Sequence, residues 1–350
     1  MADEISLRAA LAAVPRLSRM RARELLGAER TEWRRLLPAA LFAAVTGALR
    51  GGAGERALEQ ASARGIRALA PGDAEFPAAL REIPDPPLLL WLRGALPAGP
   101  ALAIVGSRRP SARGRSTAHA FAEAAARAGA AVVSGLAYGI DAAAHEGALA
   151  AAAPTVAVLA SGLLHVTPHG QVGLAERILA GGGAWLSERC PDEDARAYHF
   201  PERNRLISGL ARATLVVEAR EASGSLWSAR HALEQGREVL VVPGPIDTDL
   251  CRGSNRLLRE GAAPILDADD LLAHALGPLA GRRPLAAAER RDSPAARAVL
   301  ARLADGPCEL DALARALARP PAELAPVLLE LELEGRLRRV GARLERVGSA

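Results

Sequence analysis

AIVGSRRPSARGRS, Ala103 to Ser116, passes from an apolar run through a glycine into four arginines with no acid among them. The apolar part reads as a buried strand and the remainder as the opening of a helix, so the stretch marks a strand-to-helix turn. Outward from it, short apolar runs recur: ALAIVG, AAVVSG, TVAVLASG, AWLSE, ATLVVEA, EVLVVPG and APIL, with helical stretches between them. Runs this short and this continuously apolar suit parallel strands covered on both faces, with helices as crossovers. The expected fold class is α/β, with a doubly wound parallel sheet over about 101–276.

The flanks have a different texture. Residues 1–65 space Leu11, Val14, Leu17, Leu25 and Leu26 at helical intervals, followed by Trp33, Leu36 and Leu37, and read as a small N-terminal helical domain. Residues 66–100 are rich in proline and glycine, which predicts an extended connector with one short strand at Leu88 to Trp91. A stretch without apolar period, 277–293, reads as a linker. In 294–350, three helical patterns precede a short basic alternating stretch, the order of a winged helix.

Composition removes several function classes. The 44 basic residues are all arginine, so a Walker A loop, a Schiff base and a kinase-type strand lysine are excluded. Cys190, Cys251 and Cys308 stand far apart with no histidine at ligand spacing, which argues against a disulfide framework or a zinc site. No metal, cofactor or catalytic residue is expected. The apolar runs are strand-sized and the first residues carry acids, so a soluble, cytoplasmic protein with no membrane segment is expected. A net charge of +4 is modest, and only its distribution can argue for nucleic acid.

That distribution is uneven. In a parallel sheet, ligands collect where strand ends meet helix N-termini. Gly106, Ser107, Arg108, Arg109 and Ser111 occupy one such turn, and Gly135, in SGLAYGIDAAAHEGAL (134–149), a second. The third is YHFPERNRLISGLARATLVVEAREASGSL, with Arg203, Asn204, Arg205 and Arg220, then Ser223 and Gly224 opening another helix. Together they predict a continuous electropositive rim suited to a chain of phosphates; the alternative is that several arginines merely line a solvated helix face. Tyr138, Tyr198, Phe200 and Trp227 fall in or beside these turns: exposed rings could stack bases, while buried ones would be ordinary core. Asp141 and His145 share one helix face, a pairing that is commonly structural. No Gly-x-Gly-x-x-Gly supports a dinucleotide site.

The C-terminal module contributes less. Its third helix, PAELAPVLLELELEG, carries Glu323, Glu330, Glu332 and Glu334 and no arginine, which disfavours reading a duplex groove. Arg336, Arg338, Arg339, Arg343 and Arg346 in the wing could still touch phosphates.

AIVGSRRPSARG, VVSGLAYGIDAAAHEGAL, HFPERNRLISGLA, VVEAREASGSL and ALEQGREVLVVPG, in this order, resemble the DNA-processing protein A family, also called Smf. The resemblance implies an extended Rossmann-like domain that binds single-stranded DNA without sequence preference, dimerises, and helps load RecA recombinase in natural transformation or related recombination, without catalysis. It implies a place for Arg108 in the single-strand site, with Arg203 and Arg205 nearby and Arg220 at a position basic in some relatives. RLSRMRARELLG lacks the glycine-rich hairpin of a helix-hairpin-helix. Two other readings stay open: a nucleotide hydrolase using Glu218 or Asp141 as base with His145, and a duplex-binding regulator using the winged helix.

Overall fold

The computed structural model describes residues 2–276, 294–304, 306–333, 337–340 and 343–346, which fall into two compact units on either side of 283/284. The expected linker 277–293 lies outside the described residues. Five helices open the first unit: α1 (Ala2–Ala12), α2 (Arg19–Gly27), α3 (Trp33–Leu36), α4 (Ala39–Arg50) and α5 (Ala53–Ser62). There follow β1 (Arg67–Leu69), α6 (Ala78–Arg81), β2 (Leu90–Gly94), β3 (Ala101–Val105), α7 (Ala112–Arg127), β4 (Ala131–Ser134), α8 (Ile140–Ala150) and β5 (Thr155–Val158). The unit continues with α9 (Val172–Ala180), β6 (Ala184–Ser187), α10 (His199–Leu210), β7 (Ala213–Val216), α11 (Ser225–Glu234), β8 (Glu238–Val241), α12 (Arg252–Arg259), β9 (Ala263–Pro264) and α13 (Ala268–Leu276).

The strands form one sheet in the order β1-β2-β6-β5-β4-β3-β7-β8-β9. From β6 to β9 every pairing is parallel, and β4 to β7 are buried along their whole length. Alternate side chains of β3 therefore feed two cores: Ala103 and Val105 pack with Leu206, Ile207 and Ala229, while Leu102 and Ile104 pack with Ala118, Ala122 and Ala144. A fully buried Leu or Ile contributes about 1.5–3 kcal/mol, so this two-sided burial holds the sheet rigid under its loops. The abundant alanine permits close helix approach. A Cβ on Gly147 of α8 would stand 2.2 Å from the His119 carbonyl of α7.

Residues 66–100 are more than a connector. β1 pairs antiparallel with β2, and β2 pairs antiparallel with β6, from Trp91↔Ser187 to Gly94↔Ala184, so the segment completes one edge of the sheet. The ladder begins at Leu90 rather than Leu88. Leu88 and Leu89 are buried against the N-terminal helices before strand pairing starts, which is why the apolar run overshoots the strand. Those helices also share the sheet's core, where Ala9, Ala57 and Ala61 cluster with Trp91, Ala157 and Trp185.

The second unit contains α14 (Pro294–Ala304), β10 (Cys308–Glu309), α15 (Leu310–Ala316), α16 (Pro321–Leu333), β11 (Leu337–Val340) and β12 (Arg343–Arg346). Its three-stranded sheet runs β10-β12-β11, and Val299, Leu313, Leu324, Leu328 and Leu344 form its core. This is the expected winged-helix order. Only two residues, 341 and 342, separate β11 from β12, so the hairpin is short, and Arg336 lies outside the described residues. Among the described residues, no helix is long and apolar enough to cross a membrane.

Candidate nucleic-acid interface

From β3 the chain lays down β4, β5 and β6 in one direction, then returns to place β7 on the other side of β3. The strand order thus reverses between β3 and β7, and in open α/β sheets the crevice beyond the carboxyl ends of such strands is where ligands bind. A cleft of about 640 Å³ lies there. Nine of the twelve residues singled out above line it: Gly106, Ser107, Arg108, Arg109, Arg203, Asn204, Arg220, Ser223 and Gly224.

Ser107 laces the loops together. Its amide donates to the Glu218 carbonyl (2.6 Å), and its carbonyl accepts from the Ile140 amide (3.1 Å), tying the ends of β3 and β7 to the start of α8. The loop after β4 is correspondingly tight. Gly139 has φ +84°, and a Cβ there would lie 2.4 Å from the Ser107 carbonyl oxygen. Leu136 holds φ 59° without being glycine, a strained conformation that the surrounding packing must enforce. On this frame Arg108, Arg109 and Arg220 are exposed and form no ion pair among the described residues, although Arg108 is close enough to Asp141 to favour its charged form. The Arg108 guanidinium lies over the Phe200 ring, 4.9 Å from its centroid.

Helix N-termini add to the positive field. α10 and α11 begin at the cleft, where the amide of His199 donates to the Arg196 carbonyl (2.9 Å), that of Ser225 to Ser223 Oγ (3.4 Å), that of Leu226 to the Ser223 carbonyl (3.1 Å) and that of Trp227 to the Gly224 carbonyl (3.3 Å), so it is the helix dipoles rather than free amides that favour an anion. Ser223 and Ser225 hydroxyls stand 2.7 Å apart beside the α11 terminus. Ser228, one turn further on, was not anticipated. It lines the cleft and is 1% exposed, and its Oγ has no partner among the described residues. Its spacing of three from Ser225 puts both on one helix face, which was the available signal.

α7 differs, and Ser111 with it. The Ser111 amide and hydroxyl both donate to the Glu218 carboxylate (2.8 and 2.6 Å), while Oγ accepts from the Gly114 amide (2.9 Å). An internal carboxylate already occupies this helix terminus, so Ser111 is a cap and does not line the cleft. A Cβ on Gly114 would lie 2.4 Å from Glu218 Cδ, hence the glycine.

Arg203 is buried and acts as a pin. Its Nη1 donates to the carbonyls of Gly135 (2.7 Å) and Val158, its Nε donates to Asn204 Oδ1 (3.3 Å), and Asn204 Nδ2 donates to the Gly224 carbonyl (3.0 Å). The chain of bonds fastens the ends of β4 and β5 to the start of α11, and Gly135 serves as one of its anchors rather than as lining. Burial lowers the Arg203 pKa to about 10, so the group stays charged at neutral pH. Asp141 accepts from the Gly135 and Ala137 amides (3.2 and 3.3 Å), and burial raises its pKa against the pull of Arg203.

The family comparisons match this architecture. The model of the DNA recombination-mediator protein A family matches residues 67–276, and that of the DprA winged helix domain matches 283–343. Protein Smf of Escherichia coli (strain K12) is 39% identical over 277 residues, 76% of this chain and 74% of the relative. The chain belongs to the DNA recombination-mediator protein A family. DNA processing protein DprA of Bacillus subtilis (strain 168) is 38% identical over 211 residues, 59% of this chain and 71% of that one. The solved structure of DNA processing protein A from Streptococcus pneumoniae superposes with a TM-score of 0.62 at 29% identity, covering 77% of this chain and 96% of that one. The Helicobacter pylori protein, whose structure concerns its single-stranded DNA binding mode, gives 0.53 at 28% identity over 59% and 94%.

In this DNA recombination-mediator protein A family member, Arg205 does not join the cleft. Residues two apart on a helix point some 200° apart, so Arg203 and Arg205 cannot both face it. Arg205 pairs instead with Asp85 (3.2 Å) and Glu188. Arg19 of α2 joins the same cluster through Asp85 (2.7 Å), Glu188 (3.3 Å) and Glu202 (3.3 Å), with Arg23 on Asp85 and Arg189 on Glu202. The cluster bolts the N-terminal helices to α10.

His145 and Asp141 share a helix face, but the bonds each makes run elsewhere. His145 Nδ1 meets Thr155 Oγ1 at 2.8 Å, and burial lowers its pKa to about 3. The unfolded chain binds this proton near pH 6.5 and the folded chain only near 3. Stability therefore falls as pH drops below 6.5, by up to about 1.4 kcal/mol per unit from this group. His199, lowered to about 4, acts in the same sense. Urea unfolding at pH 7 and pH 5 should show a smaller loss in His145→Asn than in the parent, and an equal loss in both would refute the assignment.

Proposed function

We propose that this family member is a sequence-independent single-stranded DNA-binding recombination mediator that loads RecA recombinase, acting as a cytoplasmic homodimer in natural transformation or related recombination. The observation that carries the reading is the cleft itself: three exposed arginines that form no ion pair among the described residues, and the positive ends of α10 and α11, converge on it. Mobile counterions on a strand's phosphates would be released by these fixed cations, which favours binding with a marked salt dependence. Family membership and the H. pylori protein's single-stranded DNA binding support the same ligand.

Asn204 supports a lack of sequence preference. One of its Nδ2 hydrogens is held by the Gly224 carbonyl and its Oδ1 accepts from Arg203, which fixes the amide in the frame rather than freeing it to swing onto a base edge. The hydrolase reading is weaker for a similar reason, since Glu218 is bonded to Ser111 and Asp141 to two backbone amides. Duplex reading by α16 meets an exposed Glu323 and no arginine along the helix.

Fluorescence anisotropy with a labelled oligonucleotide, single-stranded and then duplexed, at several salt concentrations tests the ligand. Tighter binding of the single strand with a steep salt slope is expected, and preference for duplex would sink the reading. RecA filament formation on the same strand, with and without the protein, tests the loading step, and sedimentation tests the dimer.

A further inference from the structure

The chain has four Phe, two Tyr and four Trp, all within the described residues. Only three of these ten rings are exposed: Tyr138 (49%), Tyr198 (54%) and Trp227 (44%). Each is the immediate chain neighbour of a cleft-lining residue, Ala137, Ala197 and Ser228 respectively. A protein that buries or half-buries every other aromatic ring shows these three to solvent, each next in the chain to a residue that lines one cleft.

Two of the rings carry a cation. The Arg230 guanidinium lies 5.2 Å from the Trp227 centroid, and Arg196 Nη1 donates to the Tyr198 hydroxyl at 3.3 Å. Arg230 is itself exposed and has no acid partner among the described residues. The Tyr138 hydroxyl lies against Gly170, where a Cβ would come within 2.4 Å of it. Along α11, Gly224, Ser225 and Ser228 line the cleft, and Trp227, about 100° round the helix from Ser228, is the exposed ring next to that lining.

Resting on the single-strand reading above, we infer that Trp227, with Tyr138 and Tyr198, stacks unpaired bases of the strand where it leaves the cleft, extending the track over α11. Apolar rings set among unpaired guanidiniums suit a polyanion whose every unit also has a π-face, and suit an apolar protein surface poorly. Stacking is insensitive to counterions. Its loss therefore differs in kind from the loss of an arginine.

Trp227 can be followed directly, because Trp33, Trp91 and Trp185 are at most 2% exposed. Titrating the full chain with oligo-dT should quench its tryptophan emission to saturation. Trp227→Leu should bind about tenfold more weakly at every salt concentration, with an unchanged salt slope, and Trp227→Phe should recover most of the affinity. Persistent binding with no quenching and parental affinity in Trp227→Leu would overturn the stacking role while leaving the cleft reading intact. Absence of single-strand binding by the parent protein would overturn both. Unfolding midpoints of the two variants are expected to match the parent, since the ring packs on the surface.

Discussion

Replacing Arg108 and Arg220 together by alanine is expected to weaken single-strand binding about a hundredfold near physiological salt. A charge-assisted phosphate contact contributes about 1.5 kcal/mol, roughly tenfold, and the two side chains come from separate loops across the cleft. The salt dependence gives the sharper readout: removing two phosphate contacts should reduce the slope of log K against log salt by about 1.4 for a single strand. Folding should be untouched, because both residues are exposed and without acid partners among the described residues. The loss should also be the same for oligo-dT and oligo-dA. A slope that stays at the parental value would show that the strand does not run through this cleft, and a base-dependent loss would show that the loops read sequence.

Arg205→Ala should behave in the opposite way, although it lies two residues from Arg203 in the same motif. Its side chain is 5% exposed and paired with Glu188, at 8%. Removing one partner of a buried pair strands the other, and the usual cost is about 3–5 kcal/mol. Two features place this case near about 3 kcal/mol, the lower end of that range. Glu188 keeps Arg19 at 3.3 Å, and Arg205 Nη1 already lacks a partner among the described residues. Denaturant unfolding should show that loss, and the protein that remains folded should bind single strands with the parental salt slope. An unchanged unfolding midpoint with a flattened slope would move Arg205 back into the strand site.

These two variants mark how far the sequence alone could be read. The turn after β3 was legible because its signals are local: an apolar run, a glycine, then arginines without acids. The same held for the turns holding Arg220 and Ser223. Arg205 turns away from the cleft toward Asp85, which lies far away in the chain, in a segment that reads as connector, and Arg19 of the helical module shares the same acid. Whether Ser111 caps its helix or meets a phosphate is likewise not a local property, since its acceptor Glu218 lies 107 residues further on. Trp227 and Phe200 looked as much like core as surface, yet Trp227 is exposed and Phe200 carries Arg108 on its face. A ring's exposure depends on what else folds over it.

Sequence by itself determined the elements: strands of four or five apolar residues, the glycine turns behind them, the crossover helices and the winged-helix order at the end. Periodicity is a property of a short window, so it survives without knowledge of the rest of the chain. The tertiary structure alone decided that β3 and β7 are neighbours, that residues 67–69 and 90–94 extend the sheet, and which arginines remain unspent around the cleft. Strand order and ion pairing are settled by packing between segments far apart in the chain, and no local window records which acid reaches which guanidinium.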